Sequence, residues 1–158
     1  MEREFKGIID NEIFNEFNEQ KGYDLYSHGC NGCIIEDYLA IANIFCPDII
    51  EVDNYIFFAD MFEERGEYAK EKIRQLEEQF NNKVDIEKWV NSKSIGEFFI
   101  GQKSPSLDNN NILNQFCNIV KFFWESRLNE LFPKRKVIIE IGNGIMGELG
   151  LSITMYEI

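Results

Sequence analysis

A chain of 158 residues with 44% hydrophobic and 14% aromatic content has enough apolar material to bury a core without disulfide or metal staples, which excludes a disordered chain. Its formal charge of −12 and pI near 4.5 argue against nucleic acid, whose phosphates are neutralised by Lys and Arg, and against an anionic membrane surface. They favour a basic partner or a cationic ligand. The imbalance is local. Residues 1–60 hold thirteen Asp/Glu against three Lys/Arg, and residues 61–158 hold fifteen against thirteen.

Ile9, Ile13, Phe14 and Phe17 share one helical face and Asp10, Glu12, Glu16 and Glu19 the other, which predicts a short amphipathic helix. Gly22 to Gly32 is punctuated by Gly22, Gly29 and Gly32 and reads as a loop. A helix is expected from Ile34 to Phe45, with a broad apolar face of Ile34, Ile35, Tyr38, Leu39, Ile41, Ala42 and Phe45; Pro47 stops it. Asp48 to Ala59 is rich in strand formers and reads either as two short strands turning at Asp53-Asn54 or as one bulged strand.

Glu63 to Phe80 reads as an exposed helix with Ala69, Ile73, Leu76 and Phe80 as its buried stripe. Asp85 is the expected N-cap of a helix carrying Ile86, Trp89 and Val90. Ile95 to Ile100 either extends that helix or forms a separate turn, and Gly101 to Asp108 is a loop. Asn110 to Phe132 is apolar on most sides, the pattern of a central core helix, and Pro133 ends it. Val137, Ile139 and Ile141 alternate on one strand, and Leu149, Leu151, Ile153 and Met155 on another. A strict two-residue turn at Asn143-Gly144 mismatches the two apolar faces. A bulge at Gly147 or a longer loop from Gly142 to Glu148 restores the register. The order of elements predicts one α+β domain over residues 1–158, with several helices around a long core helix and a small antiparallel sheet including the C-terminal hairpin.

Chemistry-bearing patterns are few. In His28-Gly29-Cys30-Asn31-Gly32-Cys33 two thiols at C-x-x-C spacing could bind zinc, with His28 as third ligand and Cys46 closing the shell. A redox role for Cys30, placed just before a helix N-terminus, is the related alternative, and buried structural thiols are the plain one. A single His and the absence of G-x-S-x-G leave no triad. Gly142-Asn143-Gly144 lies between strands, where no helix N-terminus completes an anion site. Glu63, Glu64 and Glu67 place carboxylates on neighbouring helical turns, most simply as solvated surface. No catalytic residue is assigned and no cofactor is required.

The acidic N-terminal part is the stronger signal. Asp10, Glu12, Glu16, Glu19, Glu36, Asp37, Asp48, Glu51, Asp53 and Asp60 would form a single-sign patch if their elements share a face. Tyr23, Tyr26 and Tyr55 are candidate anchors at its edge. Within that set, Glu16, Glu19, Tyr23, Glu36, Asp37, Asp48, Glu51 and Asp53 are the expected contacts with a basic protein.

The start lacks the basic and apolar regions of a signal peptide, no apolar run approaches the roughly twenty residues of a bilayer span, and four cysteines read as reduced thiols. A cytoplasmic protein is expected. A small, acidic, signal-less α+β chain rich in Asn, Ile, Lys and Glu, without catalytic residues, resembles the immunity proteins of bacterial toxin systems. The segment Cys46-Pro47-Asp48-Ile49-Ile50-Glu51-Val52-Asp53, followed by Tyr55-Ile56-Phe57-Phe58, is also similar to stretches of uncharacterised bacterial proteins, where it serves as a helix-to-hairpin corner. The resemblance implies a non-enzymatic protein that occludes a basic toxin domain. The alternatives are a metal- or thiol-dependent enzyme or regulator at the Cys30 cluster, and a homo-oligomer whose interface takes some of the fourteen Phe.

Overall fold

A computed structural model describes residues 2–158 and gives an α+β architecture. In chain order the elements are α1 (Leu25–Gly32), α2 (Ile35–Phe45), β1 (Ile49–Val52), β2 (Tyr55–Phe58), α3 (Glu67–Gln79), α4 (Lys83–Asn91), β3 (Lys93–Ser94), α5 (Asn110–Leu131), β4 (Val137–Asn143) and β5 (Leu151–Glu157), with short 3-10 turns between them. The chain packs as two compact units. The first comprises residues up to Phe45 together with Gly101–Val120, and the second Cys46–Ile100 with Lys121–Ile158.

The first unit begins with a 3-10 turn, Asn11–Glu16, in place of the expected α-helix. Six residues hold too few backbone bonds for an α-helix to outcompete the tighter turn. Asp10 caps it by accepting from the Glu12 N–H at 3.0 Å, and Ile13 and Phe14 are buried.

The expected loop from Gly22 to Gly32 is largely helix α1. Its nucleus is a capping box. The Ser27 N–H donates to Asp24 Oδ1 at 2.7 Å, and Ser27 Oγ accepts from the N–H groups of Asp24 and Tyr23 at 3.0 and 2.9 Å. These bonds hold the Asp24 carboxyl below its ordinary value. Gly22 makes the approach possible. Its φ is +110°, and a Cβ there would stand 2.4 Å from Ser27 Oγ. Gly22→Ala is therefore expected to cost roughly 1–3 kcal/mol of local stability. Amide exchange of the α1 residues should accelerate while the β4–β5 amides keep their protection; unchanged α1 exchange would contradict the assignment.

Helix α2 starts one residue after its expected boundary. Asp37 reaches back to accept from the Ile34 N–H at 3.0 Å, half of a second capping box. At α5, Asn109 Oδ1 accepts from the N–H groups of Asn111 and Ile112 at 2.9 and 3.3 Å.

In the second unit β1 and β2 form a hairpin with Ile49 opposite Phe58 and Val52 opposite Tyr55. Asp53 and Asn54 both take positive φ, 45° and 73°, as a tight hairpin turn requires, so the two-strand alternative is the one observed. All four β2 side chains are buried, with the Phe57 ring stacked between Tyr55 and Phe62. Ala69, Ile73 and Leu76 of α3 pack on this cluster with Ile86 and Val90 of α4. Helix α3 starts later than expected, because Gly66 at φ 59° separates it from Glu63 and Glu64. The N-cap of α4 is Asn82 and not Asp85: the Asp85 N–H donates to Asn82 Oδ1 at 2.9 Å. Asp85 occupies the first turn, where the helix dipole also favours it.

The three-stranded sheet runs β3-β5-β4, all antiparallel. The β4–β5 loop spans 144–150, the longer-loop solution, and pairs Ile139 with Met155 and Ile141 with Ile153, so both apolar faces coincide. Leu149 lies outside β5 and is exposed. The buried stripe of α5 is Cys117, Val120, Trp124 and Leu128, narrower than its apolar pattern; Phe122 is half-exposed.

Strand β3 covers only Ser152 and Ile153 of β5, which leaves backbone groups of β5 farther on without a strand partner. Helix α4 supplies the partners. Glu87 accepts from the N–H groups of Ile56 on β2 and Glu157 on β5 at 2.8 and 2.7 Å. One turn later Asn91 accepts from the Phe58 N–H at 3.0 Å and donates to the carbonyls of Ile56 and Met155 at 2.9 and 3.1 Å. Both side chains are fully buried. Two polar residues on one helix thus join two sheet edges that do not pair directly.

Candidate functional site

The two units treat charge differently. Among the described residues the second has ten ion pairs, which engage nine of its eighteen Asp/Glu, including Arg135 with Glu51 and Glu157, Lys83 with Glu87 and Glu157, Lys88 with Glu140, and Lys93 with Asp60. The first holds ten Asp/Glu against four Lys/Arg, and all ten carboxylates are exposed. Among the described residues none of the ten has an ion-pair partner. Their hydrogen bonds go to neutral groups: Asp10, Asp24 and Asp37 cap helical turns, and Glu16 accepts from the side-chain amides of Asn109 and Asn111 at 2.9 and 3.1 Å. Asp10, Glu12 and Glu16 line one hollow of about 260 Å³ with Asn111, Asn114 and Gln115 of α5. Net negative charge is therefore displayed and not consumed internally.

The expected contact residues fall into both units. Glu16, Glu19, Tyr23, Glu36 and Asp37 are exposed in the first, Asp48, Glu51 and Asp53 in the second. Glu51 is held by Arg135 and Asp60 by Lys93, so both are partly neutralised. Tyr55 is buried, with its hydroxyl donating to Glu77 at 2.9 Å, and it anchors the β1–β2 hairpin. Burial and the carboxylate beside it push that phenol up to about 12.

The feature that periodicity misplaces is α2. Its broad apolar face reads as core, yet none of its residues is buried. Ile35 is 70% exposed, Leu39 68% and Tyr38 48%, and Ile34 just ahead of the helix is 64% exposed. Tyr23, just ahead of α1, and Tyr26, in its first turn, are both more than four-fifths exposed. The Tyr38 hydroxyl lies over Gly29 of α1, 3.2 Å from where a Cβ would be, and burial there raises its pKa, with smaller contributions from Cys33, Cys30 and Tyr26. One sequence signal marks this stretch. Between Lys21 and Arg65 the chain contains no Lys or Arg.

The His/Cys cluster takes a different form from a zinc knuckle. His28 Nδ1 accepts from the Lys21 N–H at 3.0 Å, and its ring packs edge-on against Phe14 and Phe17 at 5.9 and 5.0 Å. Cys30 is on the last turn of α1, and Cys33 is its C-cap, so Cys30 meets a carbonyl end and not the amide end that a dipole-activated thiol needs. Cys30 and Cys46 are exposed, and Cys46 belongs to the second unit. Among the described residues no three His, Cys, Asp or Glu side chains converge as metal ligands would.

Of the Glu63, Glu64 and Glu67 trio, Glu67 pairs with Lys70 at 3.0 Å. The other two line a hollow of about 430 Å³ with Asp60, Trp89, Met146 and Glu148. Lys72 and Ser92 line it as well, so the hollow already holds a cation of this chain among its carboxylates. No helix among the described residues is long and apolar enough to cross a membrane. Comparison with protein-family models, with curated proteins and with solved structures finds no match.

Proposed function

We propose that this chain is a non-enzymatic binding protein that neutralises a basic protein partner, acting in the cytoplasm as the immunity protein of a bacterial toxin system. The observation that carries the reading is the set of ten exposed carboxylates in the first unit, none ion-paired among the described residues, whereas nine of the eighteen in the second unit are ion-paired. Exposed surface carboxylates contribute little to stability, and their mutual repulsion opposes compactness. Their use lies in association, where single-sign potential steers an oppositely charged partner and raises the on-rate. Occlusion of the partner's basic cleft needs no catalytic group.

The test is capture of the partner from the native cell's lysate, followed by association kinetics with the purified pair. A basic protein retained at equal stoichiometry is expected, with an on-rate falling at least tenfold between 50 and 500 mM salt. The variant Glu12→Lys/Glu19→Lys should slow association at low salt and leave thermal unfolding unchanged. A salt-insensitive on-rate would overturn the electrostatic mechanism, and an acidic or absent partner would overturn the reading.

A further inference from the structure

Helix α2 combines three properties that are costly together. It is eleven residues long, too short to be stable in water through propensity alone. It is strongly apolar, with Ile34, Ile35, Tyr38, Leu39, Ile41 and Ala42 spaced to form one continuous ridge. It is exposed from Ile35 to Asn43, with only Ile44 and Phe45 at its end half-buried. Scattered exposed apolar side chains are ordinary, but a contiguous apolar helix face marks a surface that something covers.

Charge decides what covers it. Glu36 and Asp37 occupy the first turn of α2, Asp24 caps α1, and no Lys or Arg occurs from residue 22 to residue 64. A second copy would bring the same carboxylates to the same ridge, with no cation from this stretch to meet them. An anionic lipid surface meets the same repulsion, since interfacial helices rely on Lys and Arg on their polar face. A partner whose aliphatic ridge is flanked by Lys and Arg satisfies both requirements. The ridge, about 16 Å long at 1.5 Å per residue, matches about three turns of a partner helix. Tyr26, on the first turn of α1, highly exposed and close enough to Tyr38 to act on its hydroxyl, supplies an aromatic anchor at the rim.

We propose that α2, with Ile34 and Tyr26 of α1, is the docking ridge for a basic amphipathic helix of the partner protein. The proposal rests on the binding-protein reading above and adds the site and the chemistry of what docks there. It makes the contact an apolar one that charge guides, so that salt acts on arrival and the ridge on retention.

The probe is a synthetic amphipathic helix of about eighteen residues with a leucine stripe flanked by lysines, titrated against the full chain by fluorescence anisotropy at 50 and 500 mM salt. The controls are the same peptide with its leucines changed to serine and one with its lysines changed to glutamate. Ile35→Ser/Leu39→Ser is the ridge variant, and because both side chains are exposed its thermal unfolding should match the parent chain. The expected result is at least tenfold weaker binding by this variant and by the serine peptide, a several-fold slower on-rate for Glu36→Lys, and no binding of the glutamate peptide. Equal binding by parent and ridge variant, with salt dependence retained, overturns the ridge and leaves the acidic binding reading standing. No binding of the lysine peptide by the parent chain overturns the ridge. Binding that is salt-insensitive and equal for the lysine and glutamate peptides removes the electrostatic reading as well. A concentration-dependent dimer abolished by Ile35→Ser/Leu39→Ser, or binding of that face to neutral phosphatidylcholine vesicles, would replace the partner helix with a second copy or a lipid surface.

Discussion

Glu87→Ala should destabilise the second unit by about 3–5 kcal/mol, the cost of breaking a buried, fully hydrogen-bonded charge site. The carboxylate has no exposed surface and serves two strands, accepting from Ile56 on β2 and Glu157 on β5, with Lys83 at 3.6 Å. Alanine removes both acceptors, strands two backbone N–H groups and leaves a cavity. Asn91→Ala on the next turn is expected to act similarly, because its amide satisfies Ile56, Phe58 and Met155. Denaturant unfolding read by tryptophan fluorescence measures both, since Trp89 and Trp124 lie in this unit. Because the two residues bridge the same strand edges, Glu87→Ala/Asn91→Ala should cost less than the sum of the single changes. Additive losses, or a loss below about 1 kcal/mol for Glu87→Ala, would mean that the strand edges find other partners.

The second large effect is acid sensitivity centred on Glu157. Its carboxylate receives Arg135 Nε at 2.9 Å and Nη2 at 2.5 Å, together with Lys83. Arg135 also binds Glu51 and donates to the Asn54 carbonyl at 2.7 Å, tying the β1–β2 turn to β5. The guanidinium beside it pulls Glu157 from the ordinary 4.5 down to about 2. A lowered folded pKa contributes stability that is full above the unfolded value and is lost as pH falls through about 4.5 toward 2. Glu87 runs the other way. Burial raises its pKa, so it takes up its proton at higher pH in the folded state than in the unfolded one, and its ionisation weakens the fold as pH rises. The Glu157 contribution, discounted for partial solvent screening, is on the order of 2 kcal/mol at neutral pH. Glu157→Gln should lose that amount at pH 7 and converge on the parent chain near pH 2. Arg135→Met should do the same with a larger neutral-pH loss, about 3 kcal/mol, because it also releases Glu51 and the Asn54 carbonyl. Stability measured by denaturant unfolding at pH 7, 4.5, 3 and 2 checks this; parallel profiles for parent and Glu157→Gln would refute the assignment.

Local chemistry by itself determined the α+β class, the strand character of residues 48–59, the long helix α5 and the C-terminal strand pair. Period and turn residues point to those elements: Asp53-Asn54 suits a tight turn at positive φ, and the alternation of Ile139, Ile141, Ile153 and Met155 fixes which face is buried, while the structure chose two strands over one bulged strand and the longer loop over a bulge at Gly147. The charge map was equally legible, including the stretch without Lys or Arg between residues 21 and 65. Helix α1 was not legible, because Gly29 and Gly32 read as breakers, whereas the Asp24–Ser27 box nucleates the helix and Gly29 makes room for the Tyr38 hydroxyl. Only the tertiary structure could decide which carboxylates are spent. Glu51 and Asp60 are drawn into pairs by Arg135 and Lys93, at sequence separations of 84 and 33, while the carboxylates of the first unit have no such cation among the described residues. Nor can period separate an apolar helix in a core from one on a surface, since both need the same spacing. The exposure of α2 is set by what the rest of its unit leaves uncovered, and burial is a property of neighbours distant in sequence.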